Sequence, residues 1–390
     1  MIEASLTETL TELDSQALRR RLPEAIERPG TTVERGDRRL LNLSSNNYLG
    51  LATHPDVVMA AVDATMRSGC SATGSRLLAG NLTWHERLEA RIAQFKGTEA
   101  ALLFNSGYVA NLGVLTALTG PGDLIVADKL NHASLIDGAR ASEAEVRHAP
   151  HQSMERMEAL LDKPGVKRRF VVTDGVFSMD GDIARLPELL SLCRRYEATL
   201  VLDEAHATGV LGATGRGTLE HYCLGVQGVI QVGTLSKALG GFGAFVAGSQ
   251  AVIESLINLA RPLVFSTALP PAVIGAALAA FDVLDFDPGL VERLRANAIY
   301  LREGLQRIGL QVPSGITPII PVVVGEPDVA LKFAQHLDTL GVLAQAVRPP
   351  SVPRGSARVR VTVMAPHTRE QLDRAIAAFE TAGRRAGILT

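Results

Sequence analysis

Short apolar runs recur through the middle of the chain, and stretches with helical periodicity separate most of them. One such stretch places Leu186, Leu189, Leu190 and Cys193 at i, i+3, i+4 and i+7, the spacing of one helix face. Strands that alternate with helices favour an α/β fold with a mainly parallel sheet covered by helices on both faces. The predicted strands are Ala101–Phe104, Leu124–Ala127, Phe170–Thr173, Leu200–Asp203 and Val229–Val232.

The pattern changes near Phe281, where FDVLDFDPG carries turn residues and has no single clear period. Downstream, Pro318–Val324 has the pattern of a strand, and the alternating valines of Val359–Val363 indicate another, half-buried strand. A final helix is predicted over Arg369–Ala386. We therefore predict an N-terminal arm (1–45), a large domain (46–282) and a small C-terminal α+β domain (283–390).

Charge and cysteine content argue against several classes of protein. A formal charge of −2 without a basic patch disfavours a nucleic-acid partner. Three widely spaced cysteines with no CxxC pair favour a reducing compartment and give no support to a metal site. The first residues lack the basic start of a signal peptide, and prolines interrupt the most apolar stretch, 263–281. We therefore expect a cytoplasmic protein without a membrane span.

Polar residues follow several predicted strands, at the edge where open α/β sheets bind ligands. Asp203 ends the apolar run TLVLD, although a carboxylate that caps the next helix explains that residue equally simply. Lys237 follows the hydroxyl residues Thr234 and Ser236 and precedes the glycine-rich GGFG. A lysine in such tight surroundings loses its proton readily, as a Schiff-base lysine must. An exposed loop lysine beside a flexible turn would have the same sequence.

Three other segments carry weaker signals. FNSGYVAN (104–111) predicts a strand, a turn and a helix whose first N–H groups would bind a phosphate, or else an ordinary corner. His132 lies in a polar loop, where a lone histidine is usually structural or exposed. VVTDGVFSMDGD (171–182) presents Asp174 and Ser178 after a strand. Taken singly, none of these segments defines a site.

As a set, the motifs resemble fold-type-I enzymes that use pyridoxal 5'-phosphate (PLP), and in detail the α-oxoamine synthase family. The resemblance extends from about Leu18 to His367. It implies a fold-type-I PLP-dependent transferase that condenses an amino acid with an acyl thioester and releases CO2. The motifs that carry it are SSNNYLGL (44–51), FNSGYVAN, NHAS, TDGVFSMDGD, LDEAHATGVLG and TLSKALGG.

The resemblance also implies roles for individual residues. Lys237 would hold PLP as a Schiff base and move the Cα proton, while Asp203 would keep the ring nitrogen protonated so that the ring acts as an electron sink. His132 would stack on the ring and help to orient the substrate. The other implied cofactor contacts are Gly107 and Tyr108 near the phosphate, Thr234 on the phosphate, and Ser178 and His206 on the phenolic oxygen.

The substrates are implied by the same resemblance. Arg348 would grip the amino acid's carboxylate, for which a planar guanidinium suits a bidentate contact, and Arg19 and Ser351 are further candidates. The segments 18–23 and 346–363, with Phe177 where other members have tyrosine, are most similar to the member that joins L-alanine to a pimeloyl thioester of CoA or acyl carrier protein. The alternatives are a ligase for glycine and acetyl-CoA, a PLP aminotransferase, and a non-catalytic protein of the same fold.

Members of this family place the site at a dimer interface, so the resemblance implies a homodimer. In LVFSTALPP (263–271), Thr267 either reaches the partner's PLP phosphate or caps a helix together with Ser266. Two departures from the family pattern stand out: some relatives carry Glu in place of Asp174, and SATGSRLLAGN (71–81) differs from the glycine-rich version of other members.

Overall fold

The computed structural model describes residues 2–22 and 24–390. The chain divides into two compact units. The large unit comprises residues 47–178 and 182–292, and the small unit comprises residues up to 46, residues 179–181 and residues 293–390. None of the helices within the described residues is long and apolar enough to cross a membrane.

The elements are numbered in chain order. The helices are α1 Ile2–Ser15, α2 Pro55–Ser68, α3 Thr83–Lys96, α4 Gly107–Leu118, α5 Ala133–Ala141, α6 Met154–Leu161, α7 Leu186–Arg195, α8 Thr218–His221, α9 Gln250–Leu259, α10 Arg261–Val264, α11 Pro271–Phe286, α12 Gly289–Arg307, α13 Pro327–Thr339 and α14 Arg369–Arg385. The strands are β1 Thr32–Arg35, β2 Arg38–Asn42, β3 Ala100–Phe104, β4 Leu124–Asp128, β5 Glu145–Ala149, β6 Arg169–Asp174, β7 Ala198–Asp203, β8 Val229–Thr234, β9 Ala244–Gly248, β10 Ile319–Gly325, β11 Val342–Leu343, β12 Gln345–Val347 and β13 Ala357–Thr362.

The large unit contains a seven-stranded sheet in the order β3-β9-β8-β7-β6-β4-β5. Neighbours from β8 to β5 are parallel, whereas β9 is antiparallel to both β3 and β8. The mainly parallel sheet is thus confirmed, and the five predicted strands agree with β3, β4, β6, β7 and β8 to within two residues at each end. The sequence pattern did not predict β5 and β9.

Both faces of this sheet are covered, as the apolar runs predict. Successive strand residues point to opposite faces, so Ile125 joins one buried cluster, with α4 and α5, while Leu124 and Val126 join another, with α6 and α7. Helix α7 presents the predicted face of Leu186, Leu189, Leu190 and Cys193 to the second cluster. The two clusters hold the strands of the sheet in fixed positions.

The small unit contains two three-stranded sheets, β1-β2-β11 and β10-β13-β12. The predicted strands at residues 318–324 and 359–363 correspond to β10 and β13, and the predicted final helix is α14. β2 pairs in parallel with β11, so the N-terminal arm and the C-terminal part form one compact unit. The chain leaves the large unit after Glu292, within α12. This boundary lies ten residues beyond the predicted 282 (292 − 282 = 10), because α11 packs along α2 and so belongs to the large unit.

Candidate active site

Polar residues gather along one edge of the large sheet, where the parallel strands end. β6 ends at Asp174 and β7 at Asp203, which are register partners. They border a cavity of about 200 Å³ within the large unit. Its lining consists of Gly107, Tyr108, Asn111, His132, Ser134, Asp174, Asp203, Ala205, His206, Thr234, Ser236 and Lys237.

Two hydrogen bonds fix the Asp203 carboxylate. The Ala205 N–H donates to Oδ1 at 2.8 Å, and the Asn111 amide donates to Oδ2 at 2.7 Å. Asn111 also donates to Ser134 Oγ at 2.9 Å. Turns follow Asp203 and the next helix begins at Thr218, so the helix-capping interpretation is wrong. The two donors hold the Asp203 carboxylate in one orientation at the cavity.

Asp174 and His132 form a second pair at the same edge. Asp174 Oδ2 accepts the backbone N–H of His132 at 2.8 Å. Burial, and then the charge of Asp203, raise the pKa of Asp174 well above its ordinary value. The His132 side chain is exposed in the cavity, but loss of water to the surrounding protein lowers its pKa. The charge of Asp203 opposes this change only in part. The cavity therefore favours the protonated form of Asp174 and an uncharged imidazole at His132.

Lys237 belongs to the loop after β8. Its Nζ lies 3.0 Å from Nε2 of His206, whose Nδ1 lies 2.8 Å from the hydroxyl of Tyr48. The hydroxyls of Thr234 and Ser236 lie 2.7 Å apart beside it. Lys237 is half-buried in the cavity wall, so the exposed-loop interpretation is wrong for this residue.

Helix α4 begins at the cavity. The Ser106 hydroxyl caps it by accepting from the Val109 N–H at 3.3 Å, and Gly107 and Tyr108 form its first turn. The first N–H groups of a helix have no intrahelical acceptor and favour an anion. The Tyr108 hydroxyl donates to Asp137, which raises the pKa of Tyr108. This corner, with the nearby hydroxyls of Thr234 and Ser236, is suited to a phosphate.

Ser178 and Thr267 lie outside the lining set. Ser178 is half-buried at the end of a large-unit segment. Thr267 forms an isolated β-bridge with Ser75, and its carbonyl accepts from Asn105 at 3.0 Å. Pro270 is the N-cap of α11, so Thr267 does not cap that helix. The cofactor roles of Ser178 and Thr267 stay predictions.

The predicted substrate contacts lie together in the small unit. Arg348 donates to the carbonyl of Ala17, and Arg20 donates to Ser351 Oγ at 3.2 Å. Arg19 pairs with Asp14 at 2.6 Å. Burial, and then the charge of Arg20, lower the pKa of Arg348. The roles of Arg19, Arg348 and Ser351 stay predictions.

Sequence reasoning missed several residues that support the site. Asn111 is a buried polar residue in the otherwise apolar segment VANLGVL of α4, which is a recognisable signal because a buried amide needs partners. Tyr48 lies in the motif SSNNYLGL, where no sequence pattern assigns it a role. Lys96 and Glu204 form a buried ion pair at 3.4 Å, and Glu204 also accepts the Thr218 N–H, which braces the loop carrying His206.

The described residues contain no group of His, Cys, Asp and Glu arranged to hold a metal ion. A doubly covered, mainly parallel sheet with a lysine, an aspartate and a helix N-terminus at one edge defines the class, a fold-type-I PLP-dependent transferase. The chain belongs to the family described as aminotransferase class I and II, whose family model matches residues 38–379.

The similar proteins narrow the class. The chain is 47% identical to the 8-amino-7-oxononanoate synthase of Geobacter sulfurreducens, over 99% of each chain. It is 46% identical to the enzyme of the same name from Citrifermentans bemidjiense, over 99% of this chain and 100% of that one. A high-resolution structure of serine palmitoyltransferase (SPT) with PLP matches with a TM-score of 0.92 and 31% identity, over 99% of this chain and 98% of that one. The predicted resemblance to the α-oxoamine synthases is confirmed.

Proposed function

We propose that the chain is a PLP-dependent acyltransferase that condenses L-alanine with a pimeloyl thioester. The products are 8-amino-7-oxononanoate, CO2 and the free thiol, and the reaction belongs to biotin biosynthesis. The observation that carries the proposal is the similarity to a synthase of that name at 47% identity over 99% of both chains. The site supports it, because Lys237, Asp203 and His132 line one cavity.

The cavity residues fit PLP by their chemistry. Lys237 supplies an amine for the cofactor's aldehyde, and Asp203 supplies an oriented carboxylate for a protonated ring nitrogen. The start of α4 and the Thr234 hydroxyl suit its phosphate, and His132 offers a planar, uncharged ring. When bound, PLP supplies an electron sink that delocalises the charge left on the amino acid after its Cα proton is removed.

The chain's own residues hold the substrate and move its protons. Lys237 Nζ takes the Cα proton of alanine and later returns a proton to the product. Arg348 binds the alanine carboxylate in a charge-assisted contact, with Arg19 and Ser351 as further substrate contacts. The raised pKa of Asp174 favours its protonated form, which lessens the repulsion between the cavity and the alanine carboxylate. The acyl donor is a thioester of CoA or of acyl carrier protein.

A homodimer is part of the proposal, with Thr267 of one copy serving the phosphate of the other. Helix α2 supports it, because Met59, Val62 and Met66 lie on one face at i, i+3 and i+7 and are 65%, 52% and 81% exposed. A stripe of large apolar residues exposed in a single copy is typical of a protein interface.

A product assay tests the proposed reaction. Purified chain with PLP is given L-alanine or glycine, each with pimeloyl-CoA or acetyl-CoA, and products are identified by mass spectrometry. We expect alanine with pimeloyl-CoA to give by far the highest kcat/KM. Faster condensation of glycine with acetyl-CoA would assign the ligase activity instead, and pyruvate formed without thiol release would indicate an aminotransferase. Lys237→Ala should abolish product, whereas Lys167→Ala, at an exposed lysine, should not.

A further inference from the structure

Tyr48 connects the protein core to the cavity lysine. It is 0% exposed, and its hydroxyl lies 2.8 Å from Nδ1 of His206. The other ring nitrogen of His206, Nε2, lies 3.0 Å from Nζ of Lys237. The three side chains therefore form a continuous hydrogen-bonded series that ends at the group proposed to move protons.

The segment carrying Tyr48 is locked between the loops that carry the other two residues. A Cβ at Gly240, in the Lys237 loop, would lie 2.2 Å from the backbone N of Ala52. A Cβ at Gly209, in the His206 loop, would lie 2.6 Å from Cβ of Ala238 and 3.3 Å from Leu49. Both glycines have positive φ, +66° and +75°. Residues 49–52 are thus closely packed against both loops, which leaves the adjacent Tyr48 little freedom to move away from His206.

We infer that Tyr48 is a positioning residue that fixes the tautomer of His206. In this arrangement the Tyr48 hydroxyl donates to Nδ1 of His206, and an imidazole that accepts at Nδ1 carries its own proton at Nε2. His206 then presents an N–H donor to the cavity, which favours Lys237 as an uncharged amine. Without the Tyr48 hydroxyl, His206 is free to carry its proton at Nδ1 and to accept from a Lys237 ammonium group instead.

The neighbouring charges work against an uncharged amine. Asp203 and Asp174, at the ends of β7 and β6, and His132, from the loop after β4, all interact electrostatically in this cavity with Lys237 or with one another. A charged carboxylate in the cavity favours an ammonium at Lys237, whereas the Nε2–H of His206 opposes it. The inference deepens the proposed function, because proton removal from alanine requires the uncharged amine.

Two measurements on the folded chain test the inference without any substrate. The first is the 15N NMR spectrum of His206 in the wild type, with and without PLP, which should show a protonated Nε2 and an unprotonated Nδ1. The second is the pH dependence of Lys237 acylation by acetic anhydride in the PLP-free chain, followed by peptide mass spectrometry. In Tyr48→Phe the midpoint pH should rise by roughly one unit, the size of one hydrogen bond.

Tyr196→Phe is the matched control, because its hydroxyl pairs with Glu158 at 3.4 Å on the far end of α7 and should leave the Lys237 midpoint unchanged. An Nδ1–H tautomer in the wild type would overturn the inference even if Tyr48→Phe fails to fold. An unchanged midpoint in folded Tyr48→Phe would overturn it as well. Since neither readout uses alanine or a thioester, the substrate assignment can fail independently.

Discussion

Lys237 and Asp203 are 34 positions apart in the chain (237 − 203 = 34), yet both line one cavity. Asp203 ends β7, and Lys237 follows the end of β8, the parallel neighbour of β7. Parallel pairing aligns the carboxyl ends of strands, so residues that follow neighbouring strands meet at the same edge. This placement brings one amine and one carboxylate into the same cavity.

Chemical labelling tests the role of Lys237 directly. Borohydride reduction of the PLP-loaded chain should fix the cofactor to the peptide that contains Lys237, because reduction turns a Schiff base into a stable amine. Lys237→Ala should lack the yellow colour and take up no label, while Lys167→Ala should match the wild type. Peptide mapping that finds the cofactor on any other lysine would contradict the assignment.

The charge of Asp203 should matter more to turnover than to folding. Asp203→Asn keeps the shape but cannot hold a ring proton by charge, so kcat should fall at least about ten- to a hundredfold, the loss of about 1.5–3 kcal/mol from a charged hydrogen bond. PLP should still bind, more weakly. Asp162→Asn, an exposed residue at the end of α6, is the control. Near-normal kcat in PLP-loaded Asp203→Asn would remove the electron-sink role.

At the scale of elements, the sequence predicted those strands and helices that a local apolar pattern marks. Short, mainly apolar runs located five strands, and helical periodicity located α7. Strand β5 was missed because EVRHA at the sheet edge alternates charge rather than burying an apolar run. Strand β9 was missed because AFVAG directly follows the glycine-rich GGFG, which indicates a loop, and itself ends in glycine.

Tertiary contacts explain which site residues escaped prediction. The motifs carried Lys237, Asp203 and His132. Asn111 supports the site through Asp203, 92 positions away, and Tyr48 does so through His206, 158 positions away. Separations of that size become contacts only once the strands pair, so no local pattern shows which partner either residue takes.

His151 joins the end of β4 to the loop after β6, and its effect depends on pH. Burial alone would lower the pKa of His151, but hydrogen bonds to Asp128 and Asp182 outweigh it and raise the pKa to about 10. Since the pKa is higher in the folded chain, this stabilisation is complete below about pH 6.5, the unfolded value, and is lost as pH rises towards 10.

His151→Gln should therefore lower the free energy of unfolding by about 1.5–3 kcal/mol at pH 6, and the deficit should shrink between pH 6.5 and 10. Urea unfolding across that pH range measures it. His148→Gln, at an exposed position of β5, should show no such trend. A deficit that stays constant or grows with pH would show that the interaction does not depend on a charged imidazole.

At the scale of the whole molecule, the proposal requires two copies to complete each site. Mixing Lys237→Ala with Thr267→Ala under subunit exchange should give activity above either parent, because one site of each hybrid regains both residues. Mixing Lys237→Ala with Asp203→Asn is the control and should recover nothing, since both residues serve the same chain's site. No recovery in the first mixture, despite exchange and a severe Thr267→Ala defect, would mean that Thr267 serves its own chain.

The central claim is that this chain joins carbon to carbon and releases the amino acid's carboxyl group. L-Alanine labelled with 13C in its carboxyl group is incubated with a pimeloyl thioester, and labelled CO2 and free thiol are measured in the same sample. The account predicts one labelled CO2 for each thiol released, with the product free of label. Thiol release without labelled CO2, or labelled pyruvate in place of CO2, would contradict it.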